Sequence, residues 1–279
     1  MSGMTRREFH RLTVGGMFAG FAPYKGVTLG VQSYSFRDRP LDAAIDAMRT
    51  IGLSPCELWQ GHLEPREVSR DEMRRWRETV SLDEFTRIRD QFRRAGVALS
   101  AYNISFKDDF SDREIERGFD MAQALGTKLI TASAQVSALP RVARIAAQRR
   151  IPVAVHNHSD PDPNEFASPE SLTRAAAAPG GFIRINLDIG HFTAANHDAV
   201  AFLRAHHRHI LSLHLKDRRR NQGENMPFGD GDSPIGAVLR LLRDQRWPIP
   251  AHIEYEYKGQ DTIDEVTRCL EYCRRQLDS

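Results

Sequence analysis

The sequence predicts one α/β domain, a (β/α)8 TIM barrel, and three observations support this fold class. Short apolar runs alternate with amphipathic helical segments eight times along the chain, an order that favours parallel strands joined by helices. The first apolar run is not followed by the glycine-rich phosphate fingerprint of a dinucleotide-binding fold, so a closed barrel is favoured over an open sheet. The length of 279 residues also suits a barrel, which typically needs roughly 250.

The individual elements are predicted from apolar runs, helix caps and glycine stops. The first strand covers 27–33, and its helix runs from Pro40 to Ile51 and is ended by Gly52. The later strands are predicted at 55–59, 97–102, 128–133, 151–155, 183–188, 210–214 and 251–254. The later helices are predicted at 82–95, 111–125, 138–149, from 168 onwards, 198–206, 234–245 and 262–276. About twenty polar residues after the second strand are interpreted as an insertion without regular structure.

The composition indicates a protein with a buried core, and its net charge gives no sign of a nucleic-acid or membrane partner. Hydrophobic residues make up 41% of the chain and charged residues 27%, and the net charge is +2, so neither nucleic acid nor a membrane is expected as a partner. No run of 18 apolar residues exists, so no membrane span is expected. The three cysteines, Cys56, Cys269 and Cys273, lack the spacing of a zinc–thiolate site or a disulfide framework.

The N-terminal segment resembles a bacterial export signal. Arg6 and Arg7 lie in a motif similar to the twin-arginine signal, and a short Gly-rich apolar stretch from Leu12 to Pro23 follows. We therefore expect residues 1–25 to be a signal or a disordered tail, and residues 26–279 to form the catalytic barrel. The expected location is periplasmic or exported, with the cytoplasm as the alternative if the segment is a degenerate remnant.

Four predicted strands end on residues that bind metal ions. Because all strands of a barrel open on one face at their C-terminal ends, His156, Asp188, His214 and Glu254 are expected to converge. Two imidazoles and two carboxylates suit Mn, Zn, Co or Fe better than Ca, so we expect one divalent metal ion. His158 lies two residues after His156, on the same side of an extended chain, and remains an alternative ligand.

Three motifs carry a family resemblance. The segments Leu187–His191 and His214–Asp217, together with the strand-end Glu254, resemble the xylose isomerase-like superfamily, which contains sugar isomerases and epimerases, inosose dehydratases and metal-dependent AP endonucleases. In its ketose 3-epimerase branch the metal ligands are Glu, Asp, His and Glu, of which the last three match this chain. The first falls at His156. Since both glutamates of those enzymes also move the substrate proton, the substitution puts a two-base epimerisation in doubt.

The same region supplies candidate catalytic groups. The resemblance implies that His191 hydrogen-bonds a substrate oxygen. Lys216 is expected to act as a general base, with a pKa lowered by burial and by the nearby metal, unless it instead forms a salt bridge to a carboxylate. Glu57 ends the second strand and is a further candidate, either as an acid/base group or as a partner of a ligand.

Four further residues are candidates for substrate binding. Trp59 is placed to stack on a sugar face, and Arg218 to hold a carboxylate, a phosphate or a sugar oxygen. Asn103 follows the third strand, and His158 is a candidate here as well as for the metal. The expected partner is therefore a small sugar or polyol.

We expect a metal-dependent isomerase or epimerase that acts on a keto sugar or keto-polyol through an enediolate. The alternative is a metal-dependent lyase or dehydratase, similar to inosose dehydratase or eliminating from a keto-glycoside. Lys216 as a single base, with His156 unable to move a proton while it binds metal, favours elimination slightly over two-base epimerisation. A sugar-binding barrel without activity is a weaker alternative, and the near-neutral charge disfavours an AP endonuclease.

Overall fold

Eight parallel strands close into a barrel in the computed structural model, which describes residues 22–279. The expected signal at Arg6 and Arg7 lies outside the described residues. The strands are β1 Leu29–Gln32, β2 Cys56–Trp59, β3 Leu99–Asn103, β4 Ile130–Ala132, β5 Val153–His156, β6 Ile183–Asp188, β7 Ile210–Leu215, β8 Asp217–Arg218, β9 Asn225–Met226 and β10 Ala251–Ile253. The barrel order is β1-β10-β7-β6-β5-β4-β3-β2, and the short antiparallel pair β8–β9 stands outside it. The TIM-barrel prediction is confirmed.

Helices connect successive barrel strands. They are α1 Leu41–Ile51, α2 Arg70–Thr79, α3 Leu82–Ala95, α4 Asp112–Ala124, α5 Leu139–Arg149, α6 Pro169–Ala176, α7 Ile189–Ala194, α8 Ala199–His206, α9 Ile235–Gln245 and α10 Thr262–Asp278. Helices α1 and α3 end as predicted, at Gly52 and Gly96, whose φ angles of 77° and 73° favour glycine because it has no Cβ. Among the described residues no helix is long and apolar enough to cross a membrane.

Two helices were not predicted, and each has a physical reason. Helix α2 lies in the segment interpreted as an irregular insertion; its sequence, RDEMRRWRET, is too polar to show an apolar stripe. Its start was nevertheless encoded, because Ser69 and Glu72 form a reciprocal capping box. Helix α7 has only six residues and begins directly after β6, where a simple turn at Gly190 was expected. The side chain of Asp188 caps it by accepting a hydrogen bond from the His191 backbone N–H.

The core lies between the barrel and the helix layer, and its packing holds the strand ends in place. Apolar residues of the strands and helices are almost completely buried, for example Val31, Ile145, Leu187 and Val238. Burying each such side chain contributes about 1.5–3 kcal/mol. All three cysteines are buried as free thiols, which confirms that they form no disulfide framework.

Candidate metal centre

Four side chains that can bind metal converge at the C-terminal end of the barrel. His156 and Asp188 are the last residues of β5 and β6, His214 lies near the end of β7, and Glu254 directly follows β10. One ligand atom from each lies within 4.8 Å of the others, and all four residues are buried. Asp188 and His214 pair across β6 and β7, so the barrel register itself places them side by side. The group expected from the sequence is therefore brought together.

The state of these ligand atoms fits a metal ion. His214 Nδ1 and Glu254 Oε2 are buried 3.1 Å apart, and Lys216 Nζ lies 3.0 Å from the same Glu254 oxygen. Neither atom makes a well-aligned hydrogen bond, which is unusual for buried polar atoms and fits a group that binds there. Burial lowers the pKa of His156 to about 4, which keeps its imidazole neutral and able to coordinate. Two nitrogen and two oxygen donors suit Zn or another borderline transition metal.

Lys216 lies at the edge of this group and makes close contacts with three carboxylates. Its Nζ is 3.2 Å from Asp188 Oδ2, 3.0 Å from Glu254 Oε2 and 2.7 Å from Glu256 Oε2. Burial alone would lower the pKa of Lys216, but the three carboxylates more than offset this and raise it. The expectation of a lowered pKa included the nearby metal ion; the side chains alone act in the opposite direction and hold Lys216 as an ammonium ion. The salt-bridge alternative describes its contacts better.

His191 stands beside Lys216 and is held by Arg218. His191 Nε2 is 3.1 Å from Lys216 Nζ, and Arg218 Nη1 donates to His191 Nδ1 at 2.8 Å. The same Arg218 nitrogen contacts Ser159 Oγ at 2.9 Å, while its other nitrogens donate to the carbonyl of Gly223. Arg218 thus uses four of its five N–H donors on protein groups and supports His191.

His158 lies next to the metal-binding group and is not part of it. Its Nδ1 is 2.8 Å from Glu165 Oε2, and its ring centroid is 5.1 Å from that of His156. Strand β5 ends at His156, so the two-residue alternation that made His158 an alternative ligand does not continue. With its side chain 30% exposed, His158 lies at the rim, where a substrate would pass.

Glu57 and Asn103 lie below the ligand group inside the barrel. Glu57 is completely buried, and its Oε1 is 2.8 Å from His214 Nε2. Asn103 is also buried and donates to Glu57 Oε1 and to Thr131 Oγ1. Asn103 therefore supports Glu57, and its amide nitrogen is used within the protein.

Trp59 forms part of an aromatic group at the mouth of the barrel. Its ring is half-buried and packs edge-on against Tyr34 and His62, with centroid distances of 4.8 Å and 5.6 Å. The position is compatible with stacking on a sugar, as expected from the sequence.

Three residues of the site were not identified from the sequence. Glu256 contacts Lys216; Asn186 lies with its amide nitrogen 3.0 Å from His214 Nε2; and Gln32 donates to Glu57 Oε1 at 2.7 Å. The position of each residue in the sequence could have indicated its place at the site. Glu256 and Asn186 lie two residues from a predicted ligand, and Gln32 lies at the end of the first strand.

Comparisons with known proteins agree with this architecture. The curated L-ribulose-5-phosphate 3-epimerase UlaE of Escherichia coli O157:H7 is 23% identical over 190 residues, which are 67% of this chain and 66% of UlaE. Several other UlaE sequences match over about a third of their length. The structure of E. coli 3-keto-D-glucoside 4-epimerase YcjR superposes with a TM-score of 0.66 at 12% identity, covering 89% of this chain and 99% of YcjR. That of the IolI protein with a bound zinc atom superposes with a TM-score of 0.67 at 15% identity, covering 90% and 98%. These structural likenesses establish the fold.

Family membership follows from a broader match. The family described as the xylose isomerase-like TIM barrel matches residues 45–274, which include all four converging ligands and the helices around them. The chain therefore belongs to the xylose isomerase-like TIM-barrel family.

Proposed function

We propose that the protein is a divalent-metal-dependent isomerase or epimerase of a keto sugar or keto-polyol. The observation that carries the proposal is the buried group His156, Asp188, His214 and Glu254, whose ligand atoms lie within 4.8 Å of one another. The curated epimerase relative, although only 23% identical, supports a sugar as substrate. When bound, a divalent ion would polarise a substrate carbonyl and make the neighbouring C–H more acidic.

Three side chains at the metal-binding group have separate proposed roles in catalysis. Glu254 is the candidate base, since it directly follows a strand end and its carboxylate has a second oxygen besides the one in the ligand group. Lys216, held as an ammonium ion 3.0 Å from Glu254, would donate to the substrate oxygen on which negative charge develops. His191, whose Nδ1 accepts from Arg218 and whose Nε2 lies 3.1 Å from Lys216 Nζ, would contact a second substrate oxygen.

Elimination is a second candidate, and one observation favours it. Epimerisation with two bases needs a proton acceptor on each face of the substrate. His156 takes the position of the carboxylate that would serve the second face, and an imidazole that coordinates metal has no lone pair left for a proton. A lyase, which removes one proton and expels a β-leaving group, needs only Glu254 as base.

A substrate panel in D₂O tests the proposal. The metal-stripped protein is reloaded with Zn, Mn, Co or Fe and incubated with free ketoses, ketose phosphates, inososes and 3-keto-glycosides. Isomerase or epimerase activity returns a sugar that carries deuterium at the carbon receiving the proton, whereas elimination gives an unsaturated product. Turnover that is unchanged after metal removal would refute the metal-dependent proposal. Metal binding with no turnover of any member would favour a sugar-binding barrel.

We further propose that the protein is exported in a folded state. The support is the twin-arginine motif around Arg6 and Arg7, since that route transports folded proteins and would allow metal to be loaded beforehand.

A further inference from the structure

A chain of hydrogen bonds below the candidate metal centre ends on His214. It begins at the backbone, where the N–H of Tyr34 donates to Gln32 Oε1 at 3.2 Å. This contact fixes the amide of Gln32, so its Nε2 faces Glu57 and donates to Oε1 at 2.7 Å. Asn103 Nδ2 donates to the same oxygen at 3.2 Å. Glu57 Oε1 is therefore an acceptor, and the third group that contacts it must be a donor.

That third group is Nε2 of His214, 2.8 Å away. Since Glu57 Oε1 accepts, His214 must carry a proton on Nε2, and in a coordinating imidazole the lone pair is then on Nδ1. Nδ1 is the ring nitrogen that lacks a hydrogen-bond partner and lies 3.1 Å from Glu254 Oε2. The proton assignment thus directs the free lone pair of His214 towards the other three ligands.

The amide of Asn186 is the other polar group at His214 Nε2. Its amide lies 3.0 Å from His214 Nε2, and its Oδ1 is buried without a partner. Because Nε2 donates its one proton to Glu57, the amide orientation with Oδ1 towards His214 avoids placing two donors against each other. If Nε2 of His214 carried no proton, its lone pair would face the Glu57 carboxylate at 2.8 Å, and the two groups would repel each other.

We propose that Glu57 is a positioning residue that fixes the tautomer and ring orientation of His214, so that Nδ1 is the metal-binding nitrogen. The inference rests on the metal site of the proposed function and adds a residue that does not touch the ion. Glu57 is completely buried and its contacts come from strands β1, β3 and β7, so the barrel holds it rigidly. Of the two alternatives that the sequence left open for Glu57, this is the partner of a ligand and not the acid/base group.

Zinc affinity of the Glu57→Gln variant provides the first test. The substitution keeps the shape and removes the charge that strengthens the bond to His214, and loss of such a partner typically weakens metal binding by about 10- to 100-fold. Zn²⁺ affinity of the full chain is measured by competition with a chromophoric chelator. Glu114→Gln is the matched control, because Glu114 is equally buried but contacts Arg70 and Arg77 in the helix layer. It should leave the zinc affinity unchanged.

A second readout separates positioning from a general structural effect. In zinc-loaded protein labelled with ¹⁵N-histidine, long-range ¹H–¹⁵N correlations identify which nitrogen of His214 coordinates. We expect Nδ1 bound and Nε2 protonated. Coordination through Nε2, or a zinc affinity of Glu57→Gln equal to that of the wild type, would overturn the role of Glu57 while leaving the metal site intact. A wild-type protein that binds no zinc or other divalent ion would overturn the metal site itself, and the role of Glu57 with it.

Discussion

Lys216 Nζ lies 3.0 Å from Glu254 Oε2, and this contact pairs the candidate acid with the candidate base of the site. Lys216 also contacts Asp188 and Glu256, so one ammonium ion forms ion pairs with three carboxylates. A buried charge of this kind is stable only when it is paired, which explains why Lys216 is 2% exposed and still carries its proton.

Replacing Lys216 by Met should slow turnover and leave metal bound. Met fills a similar volume but cannot donate to a developing oxyanion, and loss of such a donor costs about 10²–10³ in kcat. Because the ammonium ion competes with a metal for the same carboxylates, metal content should stay equal or rise. The measurements are kcat and metal content of the purified variant on the substrate identified by the panel. Undiminished kcat would contradict a role for Lys216 in the chemical step.

Removing a ligand should abolish metal binding. Asp188→Ala and His214→Ala each delete one of four donors, and the loss of a carboxylate also leaves the ion's charge poorly balanced. Metal analysis after dialysis against a weak chelator should find the wild type loaded and both variants largely empty. Asp230→Ala is a suitable control, since Asp230 is exposed and outside the ligand group. Full occupancy in both ligand variants would refute the assignment.

The ligand group could be predicted from the sequence because all strands of a barrel end at one face. Residues that are far apart in the chain therefore come together there. His156 and Glu254 are separated by nearly a hundred residues, yet both follow apolar runs, and strands in a barrel end together. Helices α3 and α10 were predicted for a similar reason, since their apolar stripes and caps are local properties of the sequence.

The charge state of Lys216 and the partners of Glu57 could not be predicted in this way. The pKa of Lys216 depends on Glu256 and on the side-chain positions of three carboxylates, which no local pattern encodes. The acceptor role of Glu57 depends on the amide orientation of Gln32, which is set by a single backbone N–H. Helix α2 escaped prediction because few apolar residues mark it: Trp76 packs against the core, and ion pairs such as Arg70–Glu114 make its other links to the fold.

The export proposal predicts that both N-terminal arginines are needed for location but not for folding. They precede the first strand of the barrel in the sequence, since that strand begins at Leu29. Changing Arg6 and Arg7 together to Lys keeps the charge and removes the guanidinium groups that a twin-arginine signal requires. A tagged double variant should accumulate in the cytoplasm with an unchanged melting temperature. Detection of the variant outside the cytoplasm, in the amount found for the wild type, would refute the signal.

The last prediction concerns the stability of helix α2 and its dependence on pH. Glu114 on α4 accepts hydrogen bonds from Arg70 at 2.8 Å and 2.7 Å and from Arg77 at 3.3 Å, so one buried carboxylate anchors α2. Burial would raise the pKa of Glu114, but the arginines and the Ser111 backbone N–H outweigh burial and lower it below the ordinary value of 4.5. A carboxyl group with a lowered folded-state pKa stabilises the fold above its unfolded-state pKa. That stability is lost as pH falls through the folded-state pKa.

Glu114→Gln should therefore lower the free energy of unfolding at pH 7 by about 1–3 kcal/mol, the range for hydrogen bonds to charged groups. The difference from the wild type should shrink below pH 4.5, because protonation of Glu114 removes the same charge from the wild type. Urea titrations at a series of pH values measure both quantities. Glu116→Gln on the same helix is the control; Glu116 forms only a surface pair with Arg113 at 3.7 Å and should change stability by less than about 1 kcal/mol. A stability difference for Glu114→Gln that stays constant from pH 7 to pH 3 would show that the ionised carboxylate does not hold α2 in place.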